Sequence, residues 1–260
     1  MNKRTAKSIP WTSTITEVRQ NKLLTHNVDQ QDIIRDFSYE EMIYFLIMGK
    51  KPDKVQSNML RAVIVSHISH GITGQSTMAV IQAADCRSSF LHAVIGGFSV
   101  GAGIYHQGGL QAAMLELQQL AQMSEDDLTK HVLNRLKKRD KIIGFGHRFH
   151  TQDPRAQTLL EIAEKEHFSG QYLRTARRVE AILYEQKGIS MNIEAAGGSI
   201  LLDLGFDPLI AHLVIIVGRS PMYAAAYLER LAQKRAPFQR LAVADIIEDK
   251  EQSEEGVIDD

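Results

Sequence analysis

Apolar residues recur along this chain mostly three or four positions apart, which is the spacing of an amphipathic helix. One such face follows Ser38 and Glu41, a pair typical of the capping box that opens a helix. Its apolar members are Met42, Phe45, Leu46 and Met48. Strict alternation of apolar and polar residues is scarce, with Ile9–Thr16 as one short candidate strand. The pattern predicts an all-α fold.

Further helices are predicted from the same spacing and from capping residues. An apolar stripe runs from Leu110 to Ala121, and Ser124 caps another helix with Asp127 at its third position. The remaining predicted helices cover approximately residues 53–70, 87–100, 154–166, 171–186, 192–204, 208–217 and 221–232. From Glu248 onward the chain is acidic and poor in apolar residues, so we expect a solvated tail.

Composition narrows the class of protein. A chain of 260 residues with 44% apolar content can bury a sizeable core, and its net charge of −1 argues against general nucleic-acid binding. The single cysteine, Cys86, excludes an internal disulfide. The N-terminus lacks the apolar core of a signal peptide, and the longest apolar run, residues 209–217, is too short to span a bilayer. We therefore expect a soluble cytoplasmic enzyme that binds neither nucleic acid nor membrane.

The segment Gly144-Phe145-Gly146-His147-Arg148 carries the first chemical signal. Its two glycines permit close approach of the backbone to a flat group, and the histidine and arginine suit an anion. Asp153 and Pro154 follow as an N-cap and first helical residue, with Arg155 on the same turn. Arg155 is therefore either part of a helix start or an anion ligand, and the two roles are compatible.

Histidines supply the next candidates. His67 and His70 lie three positions apart, a spacing that also suits a metal, but no acidic or cysteine ligand is evident nearby, so we predict no metal site. The plain alternative is a histidine at the end of a helix. His106 stands between Gly101-Ala102-Gly103 and Gly108-Gly109, where the simple interpretation is a tight turn. A dinucleotide fingerprint is excluded because its sixth position is His106 rather than glycine, and because helix precedes it.

These segments, together with Asn192-Ile193-Glu194 and Gly218-Arg219-Ser220-Pro221, resemble the motifs of the citrate synthase superfamily in their order, from about Phe37 to Leu231. The resemblance implies that His106, His147 and Glu194 are catalytic. It implies that His70, Arg155 and Arg219 bind the substrate carboxylates. It places coenzyme A (CoA) against Ile142, Ile143, Gly144, Phe145, Gly146 and Arg148, with Lys137 and Lys138 either near its phosphates or on a solvated helix face.

The chain departs from this pattern at several points. Glu194 replaces the aspartate that is the family's base, and Ala195 stands where synthases usually carry an aromatic residue. Residues 235–240 match poorly the segment in which synthases carry an arginine that reaches the neighbouring subunit. The long N-terminal region of full-length synthases is absent. The shortness and Ala195 make the chain more similar to free-standing citryl-CoA lyases and to the C-terminal module of ATP-citrate lyase.

The resemblance implies a citrate-synthase-like fold with a large helical domain (residues 1–106 and 206–260), a small helical domain (residues 107–205) and a cleft between them. It implies cleavage of citryl-CoA to acetyl-CoA and oxaloacetate, with a CoA thioester as substrate and no permanently bound cofactor. We expect a homodimer or higher homo-oligomer, with the glycine-rich helix at 87–100 in the interface. Two alternatives stay open: a short citrate or methylcitrate synthase, and a catalytically weak regulatory paralogue that binds CoA.

Overall fold

The computed structural model of the protein describes residues 11–148 and 150–233. Within this part, the chain forms eleven α-helices and one short 3₁₀ helix after a small N-terminal sheet. The helices are α1 (Gln30–Asp36), α2 (Tyr39–Met48), α3 (Lys54–Ser66), α4 (Gln75–Asp85), α5 (Phe90–Gly101), α6 (Gly109–Leu120), α7 (Glu125–Lys137), α8 (Pro154–Lys165), α9 (Gln171–Lys187), α10 (Ile193–Asp203) and α11 (Ala211–Ala232). The all-α prediction is confirmed.

The sheet is a three-stranded antiparallel meander in the order β1 (Thr16–Arg19), β2 (Lys22–Thr25) and β3 (Val28–Asp29). Thr16 pairs with Thr25, and Leu24 pairs with Asp29. The predicted strand at Ile9–Thr16 is displaced, because the first strand begins only at Thr16, and Ile9 and Pro10 lie outside the described residues. The acidic tail and residues 235–240 also lie outside them.

Capping residues explain why several helices begin where the sequence predicts. Ser38 and Glu41 form the complete capping box of α2, and the helix ends at Gly49, whose φ of 69° is the left-handed value that favours glycine. The side chain of Ser124 accepts a hydrogen bond from Asp127 N at the start of α7. Asp153 and Pro154 open α8 in the same way.

Three predicted elements are corrected by the structure. Helix α3 ends at Ser66 rather than near residue 70, so His70 lies on a loop. Helix α4 was not predicted: its N-cap, Gly74, offers no side-chain hydrogen bond, and packing on α5 and α11 stabilises it instead. The two helices predicted on either side of Pro221 are one continuous helix, α11, which keeps the proline inside.

Helix α10 forms the centre of the main core. All of its residues except Glu194 and Asp203 are buried, and it packs against α3, α6, α8 and α9. Of the glycines predicted to let helices approach closely, Gly97 does so: an added Cβ would lie 2.7 Å from Val80 Cγ2 on α4. Gly96 and Gly103 have nothing that close.

One stretch of the described chain, Pro208–Ala232, has the length and hydropathy of a membrane-spanning segment. It is longer than the apolar run read from the sequence because the helix continues through Pro221. This helix packs against α3, α4, α5 and α6 and buries Arg219 near its middle. These contacts are those of a core helix.

Candidate active site

A cavity of about 180 Å³ gathers most of the polar residues that the motifs single out. It lies where the loop before α8 faces the beginnings of α6 and α10, the loop after α3, and α11. Its polar lining residues are His67, His70, Tyr105, His106, Gln107, His147, Arg148, Arg155, Asn192, Glu194 and Arg219. All six residues predicted to be catalytic or to bind the substrate carboxylates therefore face one space.

The residues predicted to contact CoA divide between two cavities. Gly146 and Arg148 line the first cavity. Ile142 and Phe145 line a second cavity of about 280 Å³, whose rim carries Arg139, Lys141 and Lys187. Ile143 and Gly144 line neither of these two cavities.

The Gly144–Gly146 loop and the start of α10 are joined by backbone pairing. Phe145 and Met191 form an isolated antiparallel bridge, and Asn192 N donates to Gly144 O at 2.9 Å. The side chain of Asn192 then donates through Nδ2 to Gly146 O, also at 2.9 Å. Two motifs that are more than forty residues apart are therefore held together by main-chain hydrogen bonds.

The two loop glycines are required by this pairing. Gly144 has a φ of 91° and Gly146 a φ of 84°, both in the region that favours glycine. A Cβ on Gly144 would lie 2.6 Å from Ala195 Cβ, so α10 occupies the space that the missing side chain leaves. The close approach predicted at Gly144 is therefore made by the protein's own helix, whereas an added Cβ at Gly146 would have 3.7 Å to its nearest neighbour.

Glu194 stands on the first turn of α10 and is the half-buried carboxylate of the cavity. Asn192 caps the helix and accepts from Glu194 N at 2.9 Å. Burial raises the pKa of Glu194, and the positive charge of Arg155 only partly offsets it. The longer side chain fits because Gly109 lies against it: a Cβ there would be 2.9 Å from Glu194 Oε1.

Arg155 is held by Asp153, whose side chain is fully buried. Its Nε donates to Asp153 Oδ1 at 3.0 Å and its Nη2 to Oδ2 at 2.8 Å. The same carboxylate accepts from Ile193 N at 3.1 Å, which joins α8 to α10. Burial alone would raise the pKa of Asp153, but the hydrogen bonds and charge of Arg155 hold it below its usual range. The sequence predicted Asp153 as a cap but not as this ion pair.

Arg219 is buried, with 3% of its surface exposed, and it meets a different environment. Its Nε donates to His67 O at 2.8 Å, while Nη1 is buried without a hydrogen-bond partner. Within residues 11–148 and 150–233, no carboxylate pairs with this guanidinium. Burial lowers its pKa, an effect that the charge of Arg155 increases and Tyr223 opposes.

The histidines of the cavity are held in their neutral form. Burial lowers the pKa of His67 and of His70 to about 4, and the charges of Arg155 and Arg219 add to the effect. Burial also lowers the pKa of His106, again with help from Arg219. The rings of His70 and His106 meet edge to face, 5.4 Å apart, and His70 Nδ1 is buried without a partner. Neutral imidazoles are the form that donates one hydrogen bond and accepts another.

His147 lies at the exposed edge of the cavity, beside His150. Its Nδ1 accepts the backbone N–H of His150 at 3.2 Å, so a neutral ring carries its proton on Nε2. Partial burial lowers its pKa, while the charge of Asp153 acts in the opposite direction. His147 is thus arranged as a hydrogen-bond donor.

Several contributors were missed from the sequence. His67 was considered as a metal ligand or as a histidine at a helix end, but not for its carbonyl, which accepts from Arg219 Nε. Ser76 received no predicted role, yet its Oγ lies 2.9 Å from His106 Nε2. Gln107 donates to Tyr223 OH at 2.8 Å across 116 positions of sequence. No local pattern signals a contact of that range.

The loop before Gly144 has its own anchor. Glu116 on α6 accepts from Ile143 N at 2.7 Å, and its other carboxylate oxygen is paired with Arg135. Arg135 also donates to the carbonyl of Lys141 and pairs with Asp140 at 2.9 Å. One carboxylate and one guanidinium therefore fix the path of residues 140–143.

Solved structures of other proteins share the fold of this chain. Among solved structures, citryl-CoA lyase from Hydrogenobacter thermophilus matches with a TM-score of 0.81 and 28% identity, covering 92% of this chain and 93% of that one. ATP citrate lyase from Methanothrix soehngenii, in complex with citrate and coenzyme A, matches with a TM-score of 0.76 and 20% identity, covering 93% of this chain and 44% of that one. At that lower identity the second match speaks for the fold alone.

Sequence comparison gives the same family. The citrate synthase of Heyndrickxia coagulans is 29% identical over 218 residues, which cover 82% of this chain and 57% of that protein. The chain thus spans little more than half the length of the curated relative it matches. The family described as "Citrate synthase, C-terminal domain" matches residues 14–242, and the chain belongs to this family.

Proposed function

We propose that this protein cleaves citryl-CoA to acetyl-CoA and oxaloacetate. The observation that carries the proposal is the pairing of Glu194, a carboxyl whose pKa is raised by burial, with neutral histidines in the same cavity. Cleavage needs an acid that delivers a proton to carbon and donors that hold two developing oxygens. A carboxyl whose pKa is raised toward that of a general acid and imidazole rings whose pKa is lowered fit these two needs.

The chemical step assigns a role to each group. The carbon–carbon bond of the citryl group breaks, and its electron pair enters the enolate of acetyl-CoA, whose oxygen receives a hydrogen bond from His106. Glu194 then gives its proton to the α-carbon. The citryl hydroxyl would lose its proton to solvent as its oxygen becomes the ketone of oxaloacetate, and this oxygen would receive a hydrogen bond from His147 Nε2–H. A proton from solvent would then restore Glu194, so the proton lost from the hydroxyl balances the one gained by carbon. In the condensation direction the same groups act in reverse, with Glu194 as the base.

The carboxylates of the citryl group would be bound by the two arginines. Arg219 has an unpartnered Nη1 in a buried position, which suits an anionic group with two oxygens. Arg155 keeps its Nη1 outside the pair that it makes with Asp153. His70 adds a polar ring whose Nδ1 lacks a partner. This end of the cavity is short of negative charge until a carboxylate arrives.

The CoA thioester would extend from Gly146 and Arg148 along the loop toward the second cavity. That cavity combines apolar walls, Ile142 and Phe145, with the basic side chains of Arg139, Lys141 and Lys187. An adenine ring and its phosphates present the complementary chemistry, an apolar face beside negative charge. No permanently bound cofactor is required.

Two alternatives keep specific support. Condensation of an acyl-CoA with oxaloacetate is favoured by the similarity to proteins named citrate synthase and, in Shewanella oneidensis, 2-methylcitrate synthase. A weakly active regulatory paralogue is favoured by Glu194, since an added methylene moves the carboxylate and a 1 Å displacement costs on the order of 10²-fold. Against the paralogue stands Gly109, which leaves room for the longer side chain.

We also propose the two-domain layout and closure of its cleft on the substrate. Residues 107–205 would form the small domain, which carries His147, Arg155 and Glu194. Residues 1–106 and 206–260 would form the large one, which carries His70, His106 and Arg219. Closure would exclude water and bring the two sets into contact with the substrate.

A homodimer is proposed through α5, the glycine-rich helix. Large apolar side chains are exposed along this helix and the turn that follows: Phe90, Leu91, Ile95, Val100 and Ile104. Exposed large apolar side chains in this number are typical of an interface. Sedimentation of the protein and of Ile95→Glu would test it, with a shift from dimer to monomer as the expected result and unchanged mass as the contrary one.

The function is tested by one assay with two arms. Pure protein is incubated with citryl-CoA, and separately with acetyl-CoA plus oxaloacetate, while acetyl-CoA, citrate and free thiol are followed. A lyase converts citryl-CoA to acetyl-CoA without thiol release. Thiol release with citrate formation identifies a synthase, and no turnover in either arm identifies the binding paralogue.

Glu194→Gln tests the proton-transfer role. The amide keeps size and hydrogen bonding but carries no transferable proton, so turnover should fall about 10²–10⁴-fold while CoA affinity changes little. Glu185→Gln, on the exposed face of α9, is the matched control. Glu194→Asp separates the readings further: activity should fall if the site is adapted to glutamate. A rise would favour the weak paralogue.

A further inference from the structure

A chain of hydrogen bonds links His106 to Ser76, Gln107 and Tyr223. Gln107 Nε2 donates to Tyr223 OH at 2.8 Å and to Ser76 Oγ at 3.3 Å. Ser76 Oγ in turn lies 2.9 Å from His106 Nε2. Ser76 and Tyr223 are fully buried and Gln107 is 7% exposed, so water does not compete for these groups.

The direction of each bond follows from the donors available. The amide nitrogen of Gln107 has two N–H groups, and the two hydroxyl oxygens accept them. Ser76 Oγ can accept from Gln107 and at the same time give its own proton to His106 Nε2, and this is the direction that the proposal below assigns. A neutral ring whose Nε2 accepts must carry its proton on Nδ1.

The glutamine is held in this arrangement by its surroundings. Its backbone N donates to Gly101 O at 2.9 Å. Gly101 also leaves the space that the amide fills, since a Cβ there would lie 2.5 Å from Gln107 Cδ and Oε1. Contact with the last residue of α5 therefore keeps the amide beside both hydroxyls.

We propose that Gln107 is a positioning residue that selects the Nδ1–H tautomer of His106, acting through Ser76. The proposal rests on the proposed function, in which His106 must be a donor to the enolate oxygen. An acceptor at position 107 would reverse the chain: Ser76 would donate toward residue 107, and its oxygen would accept from His106 Nε2–H. The ring would then present a bare Nδ1, which cannot donate.

Gln107→Glu makes this change with almost no change of shape, and histidine tautomers can be read directly. The ¹H–¹⁵N correlations of ¹⁵N-histidine-labelled protein, at a pH where His106 is neutral, distinguish an Nδ1–H from an Nε2–H ring. We expect Nδ1–H in the natural protein and Nε2–H in Gln107→Glu. Gln119→Glu, an exposed change on α6, is the matched control and should leave the spectrum of His106 unchanged.

Kinetics give the second readout. Loss of one donor to an oxyanion costs on the order of 10²-fold in kcat, so Gln107→Glu should lose kcat while KM for the CoA thioester stays nearly constant. Gln107→Leu, which removes the amide altogether, should give a mixture of both tautomers and a smaller loss. This variant also serves if the buried carboxylate prevents folding.

An Nε2–H ring in the natural protein, or an Nδ1–H ring in both variants, would overturn the proposal. The spectrum does not depend on turnover. Absence of lyase activity together with a reversed tautomer would therefore sink the proposed function and leave the positioning role in place.

Discussion

Arg155 enters the cavity from the first turn of α8 with the buried carboxylate of Asp153 beside it. Arg219 enters the same cavity from the middle of α11, and no carboxylate of the described chain pairs with it. Arg155 keeps 28% of its side chain exposed, whereas Arg219 has almost none exposed. Both arginines are predicted to bind a substrate carboxylate. In the free protein, however, the charge of Arg155 is neutralised by Asp153, whereas that of Arg219 is not.

The two arginines would therefore act differently on a carboxylate: Arg155 would orient it, and Arg219 would attract it. Asp153 neutralises Arg155 and fixes its guanidinium plane, so binding of a substrate carboxylate there requires little reorganisation. Within the described residues, Arg219 makes one hydrogen bond, to His67 O, and its buried charge has no carboxylate partner. A buried cation without a partner destabilises the free protein and attracts an anion. The unpaired charge on α11 therefore lowers the stability of the free protein and favours binding of an anion.

The largest expected effect is on dicarboxylate affinity. Arg219→Gln should weaken oxaloacetate binding by about 2–5 kcal/mol, roughly 30- to 5000-fold, because a desolvated charge pair is lost. Arg155→Gln should cost less, about tenfold, since two of its N–H groups already serve Asp153. Calorimetry with oxaloacetate and with acetyl-CoA measures both affinities. Arg178→Gln, on α9, is the surface control. Equal losses for the two ligands would remove the distinction.

The second effect is on the free protein, and its sign differs between the two arginines. Arg219→Met should raise the free energy of unfolding by about 1 kcal/mol, because an uncompensated buried charge is replaced by an apolar chain. Arg155→Met should lower it by on the order of 3 kcal/mol, because Asp153 is left buried and unpaired.

Denaturant titration without ligand measures both changes. If both variants lose stability equally, the two arginines are equivalent in the free protein and the comparison fails.

The third effect is a dependence of stability on pH. The pKa of His67 is about 4 in the folded protein and near 6.5 when unfolded, so the unfolded chain binds more protons between these values. Stability is therefore complete above about pH 6.5 and falls toward pH 4, by about 1.4 kcal/mol per pH unit for this buried ring. Burial is the main cause, so Arg219→Met should raise the folded pKa of His67 only in part and narrow the pH range in which stability is lost. An unchanged range would show that Arg219 does not act on this histidine.

The smallest effect lies away from both arginines. Glu116→Gln weakens the bond to Ile143 N and the pair with Arg135, so the loop at 140–146 should loosen. KM for the CoA thioester should rise about three- to tenfold with kcat nearly unchanged, the range expected for one hydrogen bond of about 0.5–1.5 kcal/mol. Hydrogen exchange at the Ile143 amide should quicken. A parallel loss of oxaloacetate affinity would show that the loop and the arginine region are not independent.

The sequence predicted those parts of the fold that depend on contacts between residues close together in the chain. Ser38, Ser124 and Asp153 cap helices through bonds to residues two or three positions away, and these starts were predictable. Helix α4 has no such cap and depends on packing against α5 and α11. Pro221 was misread as a break because its cost is local, whereas the packing that retains it comes from distant helices.

The functional site was likewise predicted only in part. Motifs identified which side chains meet in the cavity, but not which groups hold them. Arg155 and Asp153 are only two positions apart, so their ion pair could have been predicted from the sequence. The contact of Gly144 with Ala195, and that of Gln107 with Tyr223, exist only after the chain has folded.

Because Gly109 has no side chain, substitutions at positions 109 and 194 affect each other. A Cβ at residue 109 would lie 2.9 Å from Glu194 Oε1, so glutamate at 194 is compatible with glycine at 109 and strained with alanine. The effect of either substitution thus depends on the other, which is epistasis with a steric origin. Because Oε1 is the end of a flexible side chain, a Cβ at position 109 would displace the carboxylate of Glu194, so a change at 109 moves the group at 194.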